Sequence, residues 1–95
     1  MLERDYQKKL VIKLKETFPG CLVMKNDAQL KQGIPDLLIL NNNKWAALEV
    51  KNSEKAHHQP NQDIYIDRLN GMSYATFIYP ENEEQVFKEL RRVLK

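Results

Sequence analysis

Hydrophobic and polar positions repeat along this chain with two periods, and the changes between them mark its elements. Apolar residues spaced three and four apart line one face of a helix. They predict helices over residues 2–18, 60–71 and 83–94. Short apolar runs bounded by turn formers are typical of strands. They predict strands over residues 21–25, 36–41, 44–51 and 74–79. The order αβββαβα predicts an α/β fold, with helices flanking a mixed four-stranded sheet.

The apolar runs of the second and third predicted strands, residues 37–40 and 45–50, are separated by the polar segment Asn41-Asn42-Asn43-Lys44. Asparagine tolerates a positive φ better than any residue except glycine, which suits a two-residue hairpin turn at Asn42 and Asn43. In the resulting register Leu40 faces Trp45, and Asp36 faces Glu49. A loop with an odd number of residues would break this register.

Asp36, Glu49 and Lys51 then converge at the open end of the hairpin. Directly opposed Cβ atoms on one face of an antiparallel pair are about 4.5 to 5.5 Å apart, so two carboxylates there repel each other. Lys51 falls on the same face because side chains alternate along a strand. Oxygen ligands with retained water suit Mg²⁺ or Mn²⁺. The pattern predicts a metal site beside a lysine. The alternatives are strand-end charges that are simply solvated and a structural salt-bridge cluster.

These residues carry a resemblance to a known family. Gly33-Ile34-Pro35-Asp36, followed by Glu49-Val50-Lys51, resembles the PD-(D/E)XK nuclease signature in the form typical of VRR-NUC domains. That family also has a glutamate on its first helix, matched by Glu3, and a glutamine opening the helix after the hairpin, matched by Gln62. The resemblance covers essentially the whole chain. It implies a restriction-endonuclease-like core in a single domain, residues 1–95, similar to small stand-alone members from phages and bacteria.

The same resemblance implies hydrolysis of phosphodiester bonds in DNA, with Mg²⁺ as the metal and Mn²⁺ as a substitute. Asp36, Glu49 and the carbonyl of Val50 would hold the metal, and Glu3 would complete a second metal position directly or through water. The small family members look like Holliday junction resolvases. Because a four-way junction needs two symmetric cuts, the resemblance implies a homodimer acting on branched DNA.

Lys51 and Gln62 complete the implied catalytic set with Asp36 and Glu49. Lys51 would orient the attacking water or offset charge on the phosphate. Gln62 would orient a ligand or the nucleophile.

Helical spacing independently predicts that Glu3 and Gln62 lie towards the buried sides of their helices. At about 100° per residue, Glu3 lies about 20° from Leu10 around the first helix, above its apolar stripe. Gln62 likewise lies about 20° from Leu69, seven residues further along the helix after the hairpin. The alternatives are a glutamate that frays into water at the helix start and a glutamine that only caps its helix.

Composition narrows the class of protein without identifying it. Ninety-five residues with 42% hydrophobic content can bury one modest core. The single cysteine, Cys21, excludes a disulfide framework. No apolar run reaches transmembrane length, and the N-terminus does not resemble a secretion signal. We therefore expect no membrane association and an intracellular, cytoplasmic location in a bacterial or phage-infected cell.

The net charge of +2 means that any DNA-binding surface must be local. Lys25, Lys31 and Lys55 lie in or next to the loops that border the predicted site, where they would contact phosphates. Lysines on the outer side of the first helix, and the adjacent His57 and His58, are expected to be mainly solvated. The remaining alternatives are a non-catalytic DNA-binding module, a nuclease for ordinary duplex or flapped DNA, and a structural subunit.

Overall fold

The computed structural model describes residues 1–27 and 32–95, and within them the elements follow the predicted order αβββαβα. The helices are α1 (Glu3–Thr17), α2 (Pro60–Met72) and α3 (Glu83–Val93). The strands are β1 (Leu22–Lys25), β2 (Leu37–Asn41), β3 (Lys44–Val50) and β4 (Tyr74–Ile78). A short 3₁₀ turn, Pro80–Asn82, precedes α3. Each predicted boundary agrees to within one residue.

The four strands form one mixed sheet in the order β1-β2-β3-β4. The pairs β1–β2 and β2–β3 are antiparallel, and β3–β4 is parallel because α2 crosses over between them. The hairpin register is as predicted, with Leu38 opposite Ala47 and Leu40 opposite Trp45. Asn42 adopts the positive φ, 59°, that the two-residue turn requires. The α/β fold with a mixed four-stranded sheet is therefore confirmed.

Helices cover the two faces of the sheet unequally. The main core lies between α1, α3 and one face, and includes Leu10, Leu14, Leu37, Leu48 and Phe87. A smaller cluster lies on the other face, where α2 packs through residues such as Ile66 against Ala47 and Ala75. Side chains alternate along β3, so Glu49 points to the same face as Ala47. This alternation places the candidate site on the α2 face, at the open end of the hairpin.

Helix α1, which carries Glu3, is fixed to α3 by a polar contact at the edge of the core. The Glu83 carboxylate accepts hydrogen bonds from Tyr6 Oη at 2.8 Å and from Lys13 Nζ at 2.6 Å. Burial opposes ionisation of Glu83, but these two bonds hold its pKa below the usual value. None of the described helices is long and apolar enough to cross a membrane.

Candidate active site

At the open end of the hairpin, the side chain of Asp36 takes the place of a backbone hydrogen-bond acceptor. The last β2–β3 pair at this end is Leu37 with Leu48, and one further step places Asp36 opposite Glu49. There Asp36 Oδ2 accepts a hydrogen bond from the Val50 amide at 3.0 Å. The sequence register therefore brings the two acidic residues together as predicted.

Asn26 fixes the main chain on the other side of this carboxylate. Its amide nitrogen donates to the Asp36 carbonyl at 2.9 Å, and its Nδ2 donates to the Pro35 carbonyl at 2.6 Å. Sequence reasoning missed this residue. A signal for it existed, since an asparagine directly after a strand often bonds to neighbouring backbone.

Glu49 is a buried carboxyl with one satisfied and one unsatisfied oxygen. Its side chain is only 3% exposed, and Oε2 accepts a hydrogen bond from Gln62 Nε2 at 2.9 Å. Oε1 is buried and receives no hydrogen bond from a donor in the described part of the chain, whereas protonated Glu49 can hydrogen-bond to the neighbouring Asp36 carboxylate. Burial and, next, the nearby Asp36 carboxyl together raise the pKa of Glu49 to about 8, against the opposing effect of Lys51.

Lys51 and Gln62 form a connected pair that closes the site on the α2 side. Lys51 is buried; its Nζ donates to Gln62 Oε1 at 2.8 Å and lies 3.7 Å from Glu49 Oε2. Gln62 Oε1 also accepts from the Gln59 amide at 2.9 Å. The opposite amide orientation would direct the Gln62 NH₂ group at an ammonium and at an N–H donor, so these contacts select one orientation.

Gln62 therefore combines the two roles that sequence reasoning treated as alternatives. Its bond to the Gln59 amide belongs to a capping box at the start of α2, which begins with Pro60. The same side chain contacts Lys51 and Glu49. Helix capping and site assembly are one structural feature here.

Gly33 allows the first turn of α2 to lie against the segment that leads into Asp36. Gly33 is buried with φ +93°, and a Cβ there would lie 2.5 Å from Asn61 Cβ. Any other residue would thus push Asn61 and its neighbour Gln62 outward. The glycine of the Gly33-Ile34-Pro35-Asp36 motif has a steric function in addition to its backbone conformation.

Glu3 lies near the site but not over the buried stripe. It is exposed, and the stripe begins one turn later at Tyr6, so that part of the prediction is wrong. Partial loss of water raises the pKa of Glu3, Lys51 lowers it and Asp36 raises it, so its charge is coupled to the site. Its metal role remains a prediction.

The donor set fits a hard cation that keeps part of its water. Among the described residues, no group of three or more His, Cys, Asp or Glu side chains converges on a metal position. The carboxyl groups of Asp36 and Glu49 do converge, and Glu49 Oε1, which receives no hydrogen bond from a described donor, provides a buried acceptor. Mg²⁺ is commonly bound by one or two carboxylates and several waters. The residues therefore fit Mg²⁺ better than a metal that needs a complete protein cage.

The predicted DNA-contacting lysines and the histidines are less closely assembled. Lys25 and Lys55 are exposed, and Lys31 lies outside the described residues. His58 has specific partners that its polar loop did not suggest. Its Nδ1 lies 3.1 Å from Asp63 Oδ1, and its ring stacks on Phe77 with centroids 4.0 Å apart.

Comparison with solved structures finds a protein described as "VRR_NUC domain protein". The match has a TM-score of 0.68 and 16% sequence identity, and it covers 98% of this chain and 91% of the other. No protein-family model and no curated protein matches this sequence. At this identity the likeness establishes a shared fold. The fold expected from the motif resemblance is confirmed.

Proposed function

We propose that this protein is an Mg²⁺-dependent DNA endonuclease that hydrolyses phosphodiester bonds, with Mn²⁺ able to replace Mg²⁺. The observation that carries the proposal is the buried Glu49 carboxyl beside Asp36, with an oxygen that receives no hydrogen bond from any donor among the described residues. A cluster that served stability alone would be expected to satisfy its buried acceptors. The name of the fold neighbour agrees with a nuclease.

Asp36, Glu49 and the Val50 carbonyl are the proposed metal-binding groups, with Glu3 reaching a second position directly or through water. The bound ion would polarise the scissile phosphate and lower the pKa of an attacking water. Asp36 is already oriented by the Val50 amide, and Glu49 by Gln62. The chain therefore supplies preorganised acceptors for the ion.

Lys51 is proposed to offset negative charge that develops on the phosphate. Its ammonium group is held 2.8 Å from Gln62 Oε1 in a buried position, where electrostatic interactions are stronger than in water. Gln62 orients Lys51 through Oε1 and Glu49 through Nε2. Loss of Gln62 should therefore disturb two catalytic groups at once.

The proposed substrate is branched DNA, in particular four-way junctions, and the proposed assembly is a homodimer. The described residues contain one such site per chain, whereas symmetric resolution of a junction needs two cuts. Lys25, Lys31 and Lys55 are proposed to contact DNA phosphates near the site. Such a protein would act in the cytoplasm of a bacterial or phage-infected cell.

Cleavage of a labelled four-way junction and of a linear duplex with the same arms tests this function. The wild-type protein should cut the junction in Mg²⁺ or Mn²⁺ and be inactive in EDTA. The Asp36→Asn and Lys51→Met variants should bind the junction but lose at least about 100-fold in cleavage rate. Equal cutting of junction and duplex would refute the junction preference, and undiminished cutting by either variant would refute the site.

A further inference from the structure

A groove lies between α1 and the edge strand β1, and the proposed metal site does not account for the residues that line it. It has a volume of about 320 Å³ and is lined by Gln7, Lys8, Val11, Ile12 and Lys25. Valine and isoleucine form an apolar floor, and one lysine from each element borders it. Sequence reasoning placed the lysines of the first helix, Lys8 among them, on a solvated face. The position of Lys8 beside Lys25 is visible only in the folded chain.

The two lysines give this groove an unbalanced positive charge. Both are exposed, and no described carboxylate lies within ion-pairing distance of Lys8 or Lys25. Cations that share a groove repel each other, and an anion bound between them relieves that repulsion. Lys13, on the same helix, is different because it pairs with Glu83.

The groove also adjoins the candidate active site. Lys25 ends β1, and the next residue, Asn26, donates its amide to the Asp36 carbonyl. On α1, Gln7 lies one helical turn after Glu3, about 6 Å along the helix axis. DNA advances about 3.4 Å per nucleotide along its axis, so the near end of the groove lies roughly two nucleotides from Glu3.

We propose that this groove holds the DNA strand beside the scissile phosphate, with Lys8 and Lys25 contacting the phosphate backbone and Ile12 contacting a sugar or base. The inference rests on the proposed action on DNA. Nucleic acid is the partner that the chemistry favours, since it offers phosphate charge and apolar sugar and base surface at a short, regular spacing. Ile12, with 61% of its surface exposed, is available for such a contact.

Salt-dependent binding of a labelled duplex and of a four-way junction, measured in EDTA by fluorescence anisotropy, tests the lysines. Each lost phosphate contact on duplex DNA should lower the slope of log K against log salt by about 0.9, so a Lys8→Ala/Lys25→Ala double variant should lose about 2. The matched control, Lys9→Ala/Lys15→Ala, removes the same charge from exposed positions outside the groove. Equal effects of the two double variants would overturn the proposal.

The apolar floor is tested by Ile12→Glu against Met72→Glu, since Met72 is 67% exposed and lies at the far end of α2. Ile12→Glu should weaken DNA binding at least tenfold more than Met72→Glu; equal weakening would refute the floor contact. If the lysine variant binds DNA normally but loses binding to polyglutamate, an acidic peptide is the occupant and the proposal is wrong.

These measurements distinguish a failure of the groove proposal from a failure of the proposed nuclease function. Wild-type binding that depends on Lys8 and Lys25, without cleavage in Mg²⁺, would support the groove and refute the nuclease. Cleavage that proceeds normally in the Lys8→Ala/Lys25→Ala variant, with unchanged binding, would refute the groove and support the nuclease.

Discussion

At the scale of single residues, the unusual feature is a carboxyl that the fold keeps largely protonated near neutral pH. The pKa of Glu49 is about 8 in the folded protein, against an ordinary value of 4.5. Burial is the main cause of this shift, and the nearby Asp36 carboxyl adds to it. Burial beside Asp36 therefore disfavours the charged form of Glu49, and the proposed cation would relieve that cost.

This gives a pH prediction for the metal-free protein. Between about pH 4.5 and about pH 8 the folded state holds more protons at Glu49 than the unfolded chain. The Glu49 contribution to the free energy of unfolding should therefore fall as pH rises through this range and level off above it. Urea unfolding in EDTA at several pH values measures the slope.

Glu49→Gln should flatten that slope and increase the free energy of unfolding at about pH 9 by on the order of 1 to 3 kcal/mol. Glu54→Gln is the matched control, because Glu54 is exposed on the loop that follows β3 and should leave the slope unchanged. A wild-type slope that matches the Glu49→Gln slope would contradict a raised pKa at this residue.

At the scale of elements, the junction between the β2 entry segment and α2 controls the geometry of the site. Gly33→Ala should destabilise the protein in two ways. Alanine is strained at the positive φ of this position, and its Cβ would lie 2.5 Å from Asn61 Cβ. The Gly20→Ala control introduces only the first effect, since φ is +88° and nothing lies within 4 Å. Gly33→Ala should therefore reduce the free energy of unfolding by more than about 2 kcal/mol, and Gly20→Ala by about 1 kcal/mol.

Cleavage kinetics add a second measurement to the glycine pair. In Gly33→Ala protein the displaced Asn61 should shift Gln62 away from Lys51, so the cleavage rate should fall even at temperatures where the variant is fully folded. Gly20→Ala should cut DNA at the wild-type rate. Similar stability and cleavage rates for the two variants would show that contact with α2 is unimportant.

Sequence reasoning succeeded for the hairpin because a two-residue turn determines every pair in it. The turn at Asn42 sets the position of Asp36 opposite Glu49, and strand alternation sets the face. It failed where contacts join distant elements. No local pattern specifies that Gly33 meets Asn61 or that Asn26 bonds to Pro35. Glu3 was misplaced because periodicity gives a helix face but not where the underlying core ends.

At the scale of the whole molecule, the described residues of each chain hold one candidate site, and this bears on the proposed substrate. A homodimer would present two sites to a junction. Whether one or both of them are active should therefore decide whether the junction is nicked or fully resolved. When wild-type chains are mixed and re-equilibrated with a large excess of Asp36→Asn chains, most active sites should lie in mixed dimers. Those dimers should nick one strand and leave few fully resolved junctions, because the second site cannot cut.

The ratio of nicked to resolved junction, on denaturing and native gels, measures this effect. The control is an equal excess of an Asp36→Asn chain that also carries Lys8→Ala and Lys25→Ala, which can still enter dimers but has less affinity for free DNA. It should raise the same nicked fraction, because nicking depends on pairing of chains. If nicked product does not increase with either excess, each chain cuts alone and the proposed dimer is wrong; an increase only with the DNA-binding-competent chain would indicate competition for DNA.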